Sequence, residues 1–598
     1  MTAPAPAVPV GAAPGTTAPW TAPRPRNVAY ALAATFSVGM LWFVSNAFFW
    51  LDDYELQSLA YAAPWFTWEY LAQPWGGHFM PAAFALAQSL AKATPFTYVP
   101  MIALVSAGMA TSAFGLARLF IYVLGDRWRA LVPLALVLAS GAMWDAATWW
   151  IAALNAVPLL AAIPFATLWH LQWLQQGSWR AGLQAWGVVA LACLFFEKSL
   201  GLLFFLALVT LALRGRWLPL RPIWQMRALL LLYVAAAAFV VIGYVASSTG
   251  GVARATDLPT LLEFLRVGGL TFPPLLLGGP WWWSPPSIAA TPFAIALACS
   301  LIVVAWALWQ TRRARRAGLL WAGILMYVVA LIAVVAAGRA GWGVQVIAQP
   351  RYFVDAVVYA IVASALAWAY LPGPAHTTRT RSRWRRGAMV VSAIAFTEFL
   401  VLGLALTIPF LARGMQDNGS RLYVVGAVTT LTEGDVTINN GLVPGNVMWP
   451  LVQPRNQLRF VFSPVIDADR LPDVRDSLSV LDGFGQLRPG EVVDDPVPAP
   501  SGSCPWPILE RQTVVTLPVS RPDYWHTVRF AYVAGAPTSI EVSLDDGTPA
   551  AVPLSSGLHQ AYAFIDGGGD QLTFTRVPDG VAICITEAAI GFAAERIP

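Results

Sequence analysis

The recurrence of long apolar runs constrains this chain more than any other feature. A helix that crosses a bilayer needs about 20 apolar residues. Runs of that kind fall near 28–50, 97–124, 130–144, 151–174, 182–197, 198–213, 228–247, 288–310, 318–337, 352–371 and 388–411. The core of a water-soluble domain does not absorb so many, so the expected fold is an α-helical polytopic membrane protein with about 11 transmembrane helices. The charge content agrees. Asp, Glu, Lys and Arg make up 12% of the 598 residues, about half the level of a soluble domain.

The basic residues orient the chain. Arg falls at 24–26, 127–129, 180, 214–227, 312–316 and 379–386. With a cytoplasmic N-terminus, every one of these loops is cytoplasmic, as the positive-inside rule requires. The stretch 182–213 is the weak point. As one helix its 32 residues would run about 48 Å, too long for a core of about 30 Å, and every later loop would change sides. A hairpin broken at Glu197-Lys198-Ser199 restores the rule and puts Glu197 and Lys198 at the outer surface.

Residues 1–26 are rich in Ala, Pro and Thr and read as a disordered cytoplasmic tail. A cleaved signal does not fit, because the apolar run that follows is long enough to span. Through Leu411 the chain carries 25 Lys and Arg against 11 Asp and Glu; from Ala412 onward it carries 12 against 21. A basic membrane domain, 27–411, thus precedes an acidic polar part expected outside the cell. No basic, aromatic-interleaved domain remains to bind nucleic acid. Within the polar part, a linking α/β or β module is expected over 412–499. A β-sandwich-like, carbohydrate-binding-like module is expected over 500–598. Short β-type runs at 527–533, 539–544 and 571–575 are separated by turn signals at Asp545-Asp546-Gly547 and Gly567-Gly568-Gly569. Cys504 and Cys584 share this oxidising location, where a disulfide between them would stabilise by about 4 kcal/mol. Cys193 and Cys299 lie in apolar runs and read as core thiols.

The groups expected on the outer side sort by chemistry. Trp50-Leu51-Asp52-Asp53-Tyr54-Glu55 follows the first apolar run. Carboxylates cost several kcal/mol in hydrocarbon, so these belong at an interface, in a cavity or in a site. Lys198, Arg254, Arg266, Arg339 and Arg351 are the outer cations suited to a donor phosphate or diphosphate. Glu55, His78, Asp145, Glu197 and Trp282 are candidates for acceptor or sugar contacts, the Trp through its aromatic face. A carboxylate beside an acceptor hydroxyl can act as general base. Together these are the parts of a transferase that takes sugar from a lipid phosphate.

Leu51-Asp52-Asp53-Tyr54, the run Gly77-His78-Phe79-Met80-Pro81, the topology and the β-rich C-terminal part resemble the GT-C superfamily of glycosyltransferases. That superfamily uses polyprenyl-phosphate sugars and includes actinobacterial arabinofuranosyltransferases. The Ala-, Arg- and Trp-rich, Lys-poor composition looks like that of a high-GC actinobacterium. The resemblance implies an inverting enzyme of the plasma membrane with a polyprenyl-phosphate sugar donor and a cell-envelope glycan acceptor. It also implies an aspartate of the first outer loop as base, mapping onto Asp52 or Asp53. The superfamily differs on metal use, so a divalent cation stays open, and no Cys/His spacing suggests zinc.

Plainer readings stand beside these. Asp52 and Asp53 can cap the next helix, Glu197 and Lys198 can pair with each other, and the Trp281–Trp283 run can sit in a membrane belt. The alternative functions are a transporter or flippase of lipid-linked precursors and a non-catalytic scaffold for envelope assembly. A transporter calls for ionisable groups at mid-membrane and matched interrupted helices. Here the charges within the membrane segments lie mostly at outer helix ends, Glu398 being the clear exception.

Overall fold

A bilayer offers no water to a free backbone, so each crossing must pair its own N–H and C=O groups. The computed structural model describes residues 24–214, 220–247, 257–371, 383–433, 436–450, 452–493, 497–508, 511–576 and 580–596. The expected N-terminal tail lies almost wholly outside these residues. Each expected apolar run carries a helix. The first half comprises α1 (Pro25–Val44), α2 (Asp52–Ala62), α3 (Trp68–Leu71), α4 (Pro81–Ala93), α5 (Val99–Leu124), α6 (Leu131–Ala139), α7 (Gly141–Asp145), α8 (Trp150–Gln176) and α9 (Trp179–Phe195). The second comprises α10 (Leu200–Arg214), α11 (Leu220–Ser247), α12 (Leu258–Leu276), α13 (Phe293–Arg313), α14 (Ala317–Arg339), α15 (Val354–Tyr370) and α16 (Arg383–Gln416). Among the described residues, eight helical stretches are long and apolar enough to cross a bilayer. The runs at 130–144 and 182–213 give shorter pieces: α6 has 9 residues, α9 has 17 and α10 has 15.

Side-chain contacts sort the helix ends into two groups. At one end of the bundle Asp126 accepts from the Arg26 N–H at 2.8 Å, Tyr122 bonds Gln175 at 2.7 Å, and His170 meets Thr210 at 2.8 Å. The start of α1 and the ends of α5, α8 and α10 therefore lie together. At the other end the Trp149 indole donates to the Trp50 carbonyl at 3.1 Å, and the Lys198 ammonium donates to the Tyr352 carbonyl at 2.7 Å. The chain between 179 and 214 thus rises along α9 and returns along α10, so 182–213 is a hairpin. Its tip is an extended Phe196 followed by a short 3-10 turn at Glu197–Ser199, tied back by the Ser199 hydroxyl to the Ala192 carbonyl at 3.0 Å.

Beyond α16, helices α17 (Ser420–Glu433) and α18 (Leu458–Val461) lead into the strands. β1 (Trp283–Ser284) and β2 (Ile288–Ala289) form a small hairpin within the membrane domain. In the C-terminal part, β3 (Val474–Arg475), β4 (Ser479–Leu481), β5 (Leu487–Val493), β6 (Trp506–Pro507), β7 (Gln512–Ala534), β8 (Thr538–Leu544), β9 (Ala550–Leu554), β10 (Gly557–Arg576) and β11 (Ile583–Glu595) make one sheet. Its main path runs β4-β5-β11-β7-β10-β8-β9. Strands of 474–493 belong to this sheet, so the linking and sandwich modules read from the sequence share one sheet.

The sheet folds over on itself. β7 and β10 run through both halves, and Phe530 of one half meets Phe574 of the other at a ring separation of 5.2 Å. The corner is the glycine triplet at 567–569, where the β7–β10 register shifts. A Cβ on Gly569 would lie 1.8 Å from an Asp545 carboxylate oxygen, and one on Gly568 would lie 2.6 Å from the Asp523 backbone. The triplet is therefore a bend inside a strand, where the sequence suggested a turn between strands. Asp545-Asp546-Gly547 does join two strands, β8 and β9. Cys504 is bonded to Cys584 on β11, while Cys193 and Cys299 are buried free thiols.

Candidate active site

The carboxylate cluster forms the first turn of α2, where the helix dipole favours negative charge. Leu51, just before it, holds φ 48° and ψ −108°. That region is costly for a residue with a Cβ and persists where surroundings enforce it. Here the enforcing contacts fall on Trp50. Its N–H donates to the Asp53 carboxylate at 3.0 Å, and its carbonyl accepts from Trp149.

Asp53 and Asp52 have different surroundings. Asp53 is buried, and its other oxygen accepts the Ile151 N–H at 3.0 Å. Ile151 lies in the first turn of α8, which has no cap of its own from Trp149. Asp53 therefore caps α8 from a distant part of the chain. Burial pushes its carboxyl well above the usual carboxylate range, against the pull of those two N–H bonds. Asp52 is only partly buried. Burial, and then the charge of Glu55, raise it to about 6, while Arg339 and Arg351 pull it down.

Among the described residues, those two arginines are the cations whose charge acts on Asp52. Arg351 sits in a 3-10 turn, Pro350–Phe353, ahead of α15. Asp145 accepts its backbone N–H at 2.9 Å, Gln349 bonds its guanidinium at 2.6 Å, and the guanidinium lies 5.0 Å over the Trp149 ring. Arg339, at the end of α14, lies 4.9 Å over Trp342 and 5.6 Å over Tyr352. Among the described residues neither guanidinium forms an ion pair with a carboxylate. Asp145 is buried and holds the segment that carries Arg351.

The remaining candidates form braces around this group. Glu197 and Lys198, expected to pair with each other if they were merely structural, point to different partners. Glu197 bonds His78 at 2.6 Å and the Phe79 N–H at 3.3 Å. His78 closes a tight turn with Trp75 through Gly76 and Gly77, both at positive φ, as a two-residue hairpin loop requires. Lys198 was expected at the donor phosphate. Its ammonium is taken up by the Tyr352 carbonyl and, at 2.6 Å, by the buried Asp355 carboxylate, which also accepts from Tyr327. Lys198 thus supports the turn that carries Arg351. Glu55, expected near the acceptor, pairs with Arg455 of the C-terminal part.

The other cations and the Trp run lie elsewhere. Arg266 pairs with Glu263 on the exposed face of α12 at 2.5 Å. Trp281 and Trp283 pack on α16 through Phe399 and Phe410, and Trp282 is half exposed beside them. Arg254 lies outside the described residues. Among the described residues no three His, Cys, Asp or Glu side chains are grouped to hold a metal ion. Sequence reasoning missed Asp355 and Arg455. A carboxylate within an apolar run was a signal for Asp355; nothing singled out Arg455.

No protein-family model matches the chain, and no curated protein does. Among solved structures it is similar to ArnT from Cupriavidus metallidurans bound to undecaprenyl phosphate, with 13% identity and a TM-score of 0.43 over 75% of this chain and 88% of that one. It is also similar to the arabinosyltransferase EmbB from Mycobacterium smegmatis, with 13% identity and a TM-score of 0.36. The mycobacterial arabinofuranosyltransferase AftD gives 10% identity and a TM-score of 0.33. Both matches cover 94% of this chain, and the chain spans only 64% of EmbB and 62% of AftD. At such scores any functional reading rests on the site's own residues.

Proposed function

We propose that the chain is a membrane glycosyltransferase that moves a sugar from a polyprenyl-phosphate donor to a cell-envelope glycan at the outer face of the plasma membrane. The observation that carries this reading is the pairing of opposites around Asp52. A half-buried carboxylate with raised proton affinity faces two guanidiniums that, among the described residues, form no ion pair with a carboxylate. Arginines left unpaired in a partly dry site fit an anionic ligand, and their planar forks match phosphate oxygens.

The chemistry then follows from position. With a pKa of about 6, Asp52 is mostly ionised at neutral pH and is still a useful base. It takes the proton of an acceptor hydroxyl. The hydroxyl oxygen bonds to the anomeric carbon, and the bond from that carbon to the donor phosphate breaks. The lipid phosphate leaves with the electron pair, its charge held by Arg339 and Arg351. A single displacement of this kind inverts the anomeric centre. Trp342 and Trp449 stand 6.0 Å apart beside Arg339, one from each part of the chain, and offer faces to an acceptor sugar.

The test uses purified protein in lipid nanodiscs with radiolabelled polyprenyl-phosphate sugars and a cell-wall glycan fraction. Wild type forms labelled glycan and Asp52→Ala does not. Product formed equally by Asp52→Ala removes Asp52 as the base. Absence of product with every donor, together with movement of intact lipid-linked sugar across the bilayer of sealed proteoliposomes, favours a transporter.

A further inference from the structure

The first turn of α2 carries a third carboxylate that the proposed reaction leaves unused. Glu55 lies one helical turn beyond Asp52, a spacing that places both on one face. It is buried, and its partner is Arg455, which reaches it from the C-terminal part of the chain.

We propose that Glu55 and Arg455 form a charge clamp through which the docked C-terminal domain keeps Asp52 available as a base. Both are positioning residues, acting through Asp52, and the proposal rests on the reading of Asp52 given above. The same domain holds α2 at two further points and the segment just before it at a third. Ser58 donates to the Val461 carbonyl at 3.1 Å, Tyr54 meets Ser420 at 3.0 Å, and Asn418 donates to the Phe49 carbonyl at 3.0 Å. The loop that carries Arg455 is anchored in turn. Asn456 bonds the Tyr524 hydroxyl of β7 at 2.7 Å, and its carbonyl accepts from Val443 at 2.9 Å. Docking of the domain and pairing of Glu55 with Arg455 are therefore one event.

The charges around α2 make this pair decisive. Asp52 is faced by Arg339 and Arg351, and by Glu55 and Asp53 on its own helix. Lys92 of α4 is occupied with the Tyr61 carbonyl at the far end of α2, and Arg459 of α18 pairs with Asp473. Arg455 alone among the described cations pairs with Glu55. After burial, Glu55 is the largest influence raising the proton affinity of Asp52. Without Arg455 that influence acts uncompensated in a partly dry site, and Asp52 holds its proton further into the neutral range.

The test is the pH dependence of initial rate for the full-length protein in nanodiscs, with wild type, Glu55→Gln, Arg455→Gln, Arg455→Lys and the double glutamine variant. Arg455→Gln should move the midpoint of the acid limb up by about one pH unit, the scale of one nearby charge. Glu55→Gln should move it down, the double variant should follow Glu55→Gln, and Arg455→Lys should stay near wild type. A purely structural role lowers the maximal rate and leaves every midpoint in place, which overturns the proposal. A second readout needs no turnover. The difference in thermal stability between each protein and its Asp52→Asn derivative, followed against pH, reports the ionisation of Asp52. If Asp52→Asn stays active yet Arg455→Gln still shifts this difference, the clamp stands and the base assignment falls. If Asp52→Asn is inactive and neither readout shifts, the clamp falls alone.

Discussion

At the residue scale, two adjacent aspartates have separate duties. Asp53 aims both oxygens at backbone N–H groups, Trp50 and Ile151. Asp53→Asn supplies one acceptor and turns its amide against the other donor, so it should cost about 1–3 kcal/mol of stability, seen as a lower unfolding temperature in detergent. Its residual activity should keep the acid limb of wild type. Asp52→Asn should lose about 10²–10⁴ in rate, the usual worth of a general base. Its stability should move the other way. Because the folded protein raises Asp52 to about 6, the stability associated with its protonated form is present at pH 4 and lost as pH rises through 6. Asn carries no charge, so the variant should gain on wild type above pH 6 and match it near pH 4. The sequence picked out the pair and left the choice between its members open. What separates them is Ile151, a partner brought in from a distant helix, and chain order carries no trace of that contact.

At the scale of elements, the break between α9 and α10 was legible because length and charge both demanded it. A single helix there is too long for the bilayer, and it puts Arg clusters on the wrong side. Its side-chain partners were not legible. Glu197 fixes the turn at His78, and Lys198 fixes the one at Tyr352, so the tip of one hairpin joins the His78 turn to the turn that carries Arg351. Lys198 and Asp355 are both largely buried, at 17% and 1% side-chain exposure. Removing one partner of such a pair strands a charge, and Lys198→Met should cost about 3–5 kcal/mol. Lys198→Met with Asp355→Leu should recover most of that in an unfolding experiment. Both variants should lose activity, because the Tyr352 carbonyl loses its anchor and the neighbouring Arg351 is freed to move. The glycine triplet in β10 is the opposite case. Composition alone suggested a turn, and only the approach of Asp523 and Asp545 explains why a strand bends there.

At the scale of the whole molecule, the contacts decide which parts share a side, and the Arg distribution predicts which side that is. The C-terminal part is fastened to α2 through Arg455, Val461 and Ser420, and Asn456 beside Arg455 bonds Tyr524 of the sheet. It therefore shares a side with Asp52 in either orientation. The opposite end of the bundle gathers Arg26, Arg127, Arg129 and Arg313. The positive-inside rule predicts that such clusters stay cytoplasmic, and on that rule rests the proposal that Asp52 and the sheet lie outside. The two buried free thiols make this testable with introduced cysteines. Asp546, in the exposed β8–β9 turn, and Arg315, in the exposed loop between α13 and α14, report the two ends. A membrane-impermeant maleimide should label Asp546→Cys in intact cells and Arg315→Cys only after permeabilisation. The reverse pattern would put the sheet, Asp52 and its two arginines in the cytoplasm. The donor would then have to be reached from the inner leaflet, and an acceptor in the cell envelope would be out of reach.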